Sequence, residues 1–149
     1  MLDSGFKQIA IWQLDSCFLT PFGEEGAARR LHLITQLRRF LDELFKLGIP
    51  LEIWIDGSFT TQKPLPDDVD LVVWASESDA ESLSPELFKL FDHLLDIHNN
   101  DQIKIRYDVD VYLADPGSEE ERTKWLDEFG FDRSGINQKG IFTLLINHV

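Results

Sequence analysis

Four aspartates and a Gly-Ser step hold the groups in this 149-residue sequence best suited to chemistry. Asp68 and Asp70 stand two apart in "DVDLVVW", which is patterned as a strand, so both side chains leave one face about 7 Å apart at ~3.3 Å of rise per residue. They can share a cation. Ionised carboxylates beside apolar packing are costly unless paired or metal-bound, so a third acid converging on this pair makes sense around a divalent ion. Asp110, flanked by Val109 and Val111, is the expected third ligand, with Asp108 as its rival. Upstream, Gly57 has no side chain to block a polyphosphate, and the Ser58 hydroxyl with nearby backbone N–H groups can donate to phosphoryl oxygens. Lys63, in the loop "FTTQKPLPD", can reach a phosphate, although a solvated lysine is the plainer reading. A cation that takes one or two carboxylates and completes its shell with substrate phosphates and water is magnesium by habit.

Groups so arranged need a sheet to hold them. "LEIWID" reads as a strand ending at Gly57, and "DVDLVVW" as a second, with Val69, Leu71 and Val73 on one face and Val72 and Trp74 on the other. Apolar residues on both faces predict a central strand. Between them the loop carries Pro64 and Pro66. "QIKIRYDVDVYLAD" alternates from Ile103 to Leu113 and predicts a strand with one polar face, which carries Lys104, Arg106, Asp108, Asp110 and Tyr112.

Around these strands, Leu31, Ile34, Leu37, Leu41, Leu44 and Phe45 draw one helical stripe between about Glu24 and Leu47, stopped by Gly48. Its other face, with Arg29, Arg38, Arg39, Asp42, Glu43 and Lys46, reads as solvated, with anion binding by the arginines as the sharper alternative. "LSPELFKLFDHLLDIHNN" predicts a helix with Ser84 as N-cap, Pro85 at its first position, and Leu87, Phe88, Phe91, Leu94 and Leu95 as its stripe. Ser118 and Glu121 form a capping box for a helix through Phe129. Short strands are expected around "QIAIWQL" and "KGIFTLLIN". The order helix, strand, strand, helix, strand, helix, strand implies an α+β fold, a mixed β-sheet packed with helices.

Length and composition predict one domain over 1–149, with no internal repeat and no low-complexity tract. The net charge of -13 sets the chain's field against phosphate backbones and anionic lipid, so unaided nucleic-acid binding is not expected. Cys17 is the only cysteine and cannot form an internal disulfide. With no leader-like start and no run near ~18 apolar residues, the reading is a cytoplasmic protein with no membrane segment.

Other sources of chemistry weigh less. His32, His93, His98 and His148 share no ligand spacing, and all four are read as structural. Trp12, Trp54, Trp74 and Trp125 are expected in the core or at its edge. "DVDVY" matches the Asp-x-Asp of aspartyl-phosphate phosphatases, whose further downstream groups find no room before Val149. An EF-hand fails for want of the Gly and the closing Glu.

"DGSFTTQKPLPDDVDLVV" resembles the signature of the polymerase-β-type nucleotidyltransferase superfamily: an apolar strand, Gly-Ser, a loop, Asp-x-Asp in an apolar strand, and a third carboxylate on a later strand. The stretch from Ala28 through Trp74 is also similar to a family of short, minimal bacterial proteins placed in that superfamily, and the likeness runs from about residue 20 to 115. The resemblance implies a minimal nucleotidyltransferase fold, with Gly57 and Ser58 as the triphosphate contact, Asp68 and Asp70 as metal ligands, and Asp110 as ligand or base. It also implies two magnesium ions, one acting on the acceptor hydroxyl and one on the leaving group, and transfer of a nucleoside monophosphate from a triphosphate to a hydroxyl. Two departures stand out: the loop lacks the usual Gly, and Asp67 replaces the usual Ser before Asp-x-Asp. Minimal members often act on partner toxins in two-gene modules, so a protein acceptor and a toxin-antitoxin or antiviral defence role are implied. The alternative is a catalytically silent module of the same fold that binds a nucleotide or a partner protein.

Overall fold

The computed structural model describes residues 6–18, 26–56, 69–129 and 141–147. Five strands form one mixed sheet: β1 (Phe6–Ile9), β2 (Leu51–Asp56), β3 (Val69–Trp74), β4 (Val109–Ala114) and β5 (Ile141–Ile146). Their order across the sheet is β1-β5-β2-β3-β4. β2 runs antiparallel to β3 and β5, whereas β1 with β5 and β3 with β4 are parallel. The α+β architecture with helices on a mixed sheet is therefore as expected, and β3, with a neighbour on each side, is an interior strand as its two apolar faces required, although β2 takes the middle position.

The faces are covered unequally. Val69, Leu71 and Val73 of β3 join Ile53, Ile55, Leu144 and Ile146 in the larger core. Helix α2 (Ala27–Phe45) lies over it, with Leu33, Ile34, Leu37, Phe40, Leu41 and Leu44 fully buried. Leu31 and Phe45, assigned to the stripe, are exposed, and Leu33 and Phe40 take their places. The buried set advances by three and four residues along one face, which Leu31 and Phe45 only flank. Gly48, at φ +71°, turns the chain after the last helical turn in a conformation other residues rarely adopt.

Helix α4 (Pro85–Leu95) starts where predicted, the Leu87 N–H donating to Ser84 Oγ at 3.3 Å, and it buries Phe91, Leu94 and Leu95. Phe88 is exposed instead of buried. The helix ends at Leu95 because Asp96 turns extended and caps a 3-10 turn, Ile97–Asn99, so His93 and His98 do not share a helix. Two short helices were not foreseen: α1 (Leu14–Phe18), after β1 and a 3-10 turn at Ile11–Gln13, and α3 (Glu77–Glu81), capped by Ser76. That 3-10 turn leaves Trp12 80% exposed, outside the core expected for it.

The largest departure is in the alternating segment. Helix α5 (Asn100–Tyr107) occupies its first half, and the strand begins only at Val109. Ile103 and Tyr107, four apart, are buried together on the helix, while Ile105 between them is 83% exposed. Asp108 makes the switch: at φ 55° it caps α5, its N–H bonding Lys104 O at 2.9 Å. Asn and Asp tolerate this left-handed conformation better than most residues. Helix α6 (Glu119–Phe129) begins with Glu121 N–H on Ser118 Oγ, but the Glu121 carboxylate bonds Asp115 N instead of closing the box. Among the described residues no helix is long and apolar enough to cross a membrane.

Candidate functional site

The smaller face of the sheet gathers Trp54, Val72, Trp74, Ala114, Trp125 and Ile141, with Tyr112 and Leu126 packed against them. The Trp54 and Trp74 rings lie 4.8 Å apart, and the Arg122 guanidinium of α6 sits over both. Since strand side chains alternate, Asp70 shares this face with Val72 and Trp74, and Asp110 shares it with Tyr112 and Ala114. The ladder pairs Asp70 with Asp110 directly, and Asp56, the last residue of β2, is the partner of Asp70 on its other side. Three adjacent strands thus carry an aspartate at one level, about 4.8 Å apart from strand to strand.

Asp70 and Asp110 are both half-buried. Tyr112 Oη donates to Asp110 Oδ2 at 3.1 Å, and its ring packs on Trp125 with centroids 4.9 Å apart. The phenol's pKa is pushed up from 10 to about 12, first by burial, then by the charge and hydrogen bond of Asp110, then by the charges of Asp70 and Glu128. The phenol therefore stays a donor near neutral pH, and both aspartates act on one small region of space. Like charges so placed repel, and a cation or a ring of donors relieves them.

Asp108, the rival third ligand, is engaged elsewhere. Its Oδ2 lies 2.8 Å from Nε2 of His32 on α2, and its carbonyl accepts from Val69 N–H. The pair ties α2 to the start of β4, a structural use of His32. Arginines of the α2 outer face are similarly occupied: Arg38 reaches Asp15 at 3.3 Å, and Arg39 bonds Gln36 and lies over the Tyr107 ring.

Asp68, Gly57, Ser58 and Lys63 lie outside the described residues, which end at Asp56 and resume at Val69. Of the residues expected to form the site, Asp70 and Asp110 are brought together as direct ladder partners. Tyr112, placed by alternation on the same face as Asp110, had been given no role, and Asp56, which becomes a neighbour only through strand register, went unremarked in the sequence.

The donor set suits a small hard cation: carboxylate oxygens from two adjacent strands, half-buried at the end of a face. Among the described residues no three His, Cys, Asp or Glu side chains gather closely enough to enclose a metal. Magnesium does not need such an enclosure, because it uses one or two carboxylates and keeps water and phosphate oxygens for the rest. Asp70 and Asp110 would hold it.

Residues 1–145 match the model of DUF6932, a family of unknown function, and the chain belongs to that family. No curated protein matches the chain, and no solved structure does.

Proposed function

For this member of a family without an assigned activity, we propose a minimal, metal-dependent nucleotidyltransferase that moves a nucleoside monophosphate from a triphosphate to a hydroxyl, with a protein as the favoured acceptor. The observation that carries the reading is the direct pairing of Asp70 with Asp110 across β3 and β4, on one face and at one end of the sheet. The Gly-Ser step and Asp68 belong to the stretch that joins β2 to β3, next to Asp70 in sequence.

Two magnesium ions would supply charge neutralisation at the phosphates and a lower pKa for the acceptor hydroxyl. Asp68, Asp70 and Asp110 would hold and orient that charge, and Asp110 is also placed as the base that takes the proton of the hydroxyl. The hydroxyl oxygen bonds the α-phosphorus in line as the bond to pyrophosphate breaks. Gly57 leaves the backbone open to the phosphates, Ser58 donates to them, and Lys63 adds a positive charge. Tyr112, donating to Asp110, fixes which oxygen of that carboxylate faces the incoming group. The net charge of -13 turns the chain away from nucleic acid and toward protein acceptors in the cytoplasm, as in a toxin-antitoxin or defence module.

A second reading, a silent module that binds nucleotide or a partner, draws on the loop that lacks the usual Gly and on the net charge of -13. Incubation with magnesium and labelled triphosphates, alone and with the products of neighbouring genes, separates the two. Transfer that vanishes in Asp68→Ala and Asp70→Ala supports the enzyme. No transfer from any triphosphate, with full biological activity in both variants, leaves the silent module.

A further inference from the structure

Among the described residues, β4 has a neighbour on one side only, so its outer backbone groups are open. A groove of about 430 Å³ follows that edge. Val111 and Leu113 line it from one face of the sheet and Tyr112 from the other, which is possible only where the groove runs along the strand's rim. Ile97, 70% exposed, and Leu113, 43% exposed, give it apolar surface that is not covered among the described residues. Asp92 and Asp96 of α4 and its cap put two carboxylates into the lining, against a single cation, Lys124 of α6. Asn100 Oδ1, also in the lining, is buried with no hydrogen-bond partner among the described residues.

We propose that this groove binds an extended segment of a partner protein, with apolar and basic residues in alternation, as an added strand on β4. An open edge is a template for main-chain pairing, and pockets beside it select alternate side chains. Apolar residues of the segment meet Ile97 and Leu113, its basic residues meet Asp92 and Asp96, and the unpartnered Asn100 oxygen takes an N–H. A second copy of this chain is the poorer occupant, since it brings the same net charge of -13 to an acidic wall. Tyr112 lines the groove and bonds Asp110, so a docked hydroxyl-bearing residue stands beside the carboxylates; this last step alone rests on the transfer reading.

The test is calorimetric titration of the full chain with a synthetic peptide of alternating Lys and Val, without magnesium or nucleotide. Saturable binding is expected, weakened at least about tenfold by N-methylation of alternate amides and by exchange of every Lys for Glu. Leu113→Glu should abolish it, and Asp92→Asn should weaken it about threefold, with circular dichroism unchanged in both. Equal binding of all three peptides, or binding of none, overturns the proposal. So does a dimer in sedimentation that Leu113→Glu dissociates, because the edge then belongs to a second copy. Because no transfer is measured, peptide binding by a chain that moves no nucleotide sustains the groove while the transferase reading falls.

Discussion

One face of the sheet is built to be stable and the other to be accessible. Under α2 and α4 the larger face is a continuous layer of Leu, Ile and Val, nearly all fully buried. Among the described residues the smaller face has one helix, α6, a few aromatic rings, and at one end the aspartate pair with its tyrosine. Charged groups can collect there because the cover is partial: a carboxylate left half in water keeps part of its solvation, which the larger face would deny it. The difference teaches that this fold keeps its continuous apolar layer on one side of the strands and its paired carboxylates on the other.

The largest expected effect tests whether chemistry really is confined to that end. Asp110→Asn should lower transfer about a thousandfold, equivalent to ~4 kcal/mol of barrier, while Asp108→Asn, two residues away but turned to His32, stays within about threefold of wild type. Steady-state assays on both variants decide it, and equal losses would erase the distinction. On the larger face, Leu37→Ala should cost about 2–5 kcal/mol in denaturant unfolding, with activity per folded molecule unchanged.

A subtler effect concerns Tyr112. Its raised pKa means that the folded state holds this proton more tightly than the unfolded chain. That stabilisation is complete below the ordinary tyrosine value of 10 and is lost as pH rises toward about 12. Ultraviolet titration against a Tyr112→Phe reference should show this phenol ionising near 12, and nearer its ordinary value in Asp110→Asn. Magnesium should shift it the same way if the carboxylates take the ion. Smallest of all, His32→Ala should change stability by less than about 1 kcal/mol, because the pair it breaks is partly exposed and screened by solvent.

How much of this could be read in the sequence depends on how local the deciding force is. β2 and β3 were legible because dense apolar alternation leaves no other element for Ile53, Ile55, Leu71 and Val73. The segment from Ile103 to Leu113 misled because its period-two pattern runs unbroken across a boundary made by one residue, Asp108, without a Gly or Pro to mark it. Ile103 and Tyr107 also satisfy a four-residue step, and packing against the rest of the core chose the helix. At the site, the facing of Asp110 followed from alternation, but its level with Asp70 is a matter of register, set by contacts distant in sequence. The same holds for Asp56.

The place of β5 has a consequence for biosynthesis. This strand, late in the chain, lies between β1 and β2 and pairs Phe6 with Ile141 and Leu51 with Ile146. During synthesis β1 leaves the ribosome long before β5, its partner among the described residues, so this part of the sheet can zip shut only after all the residues between them have been made. Nascent chains stalled before residue 141 should therefore remain protease-sensitive and dependent on chaperones, because closing so long a span is slow and its reward comes last.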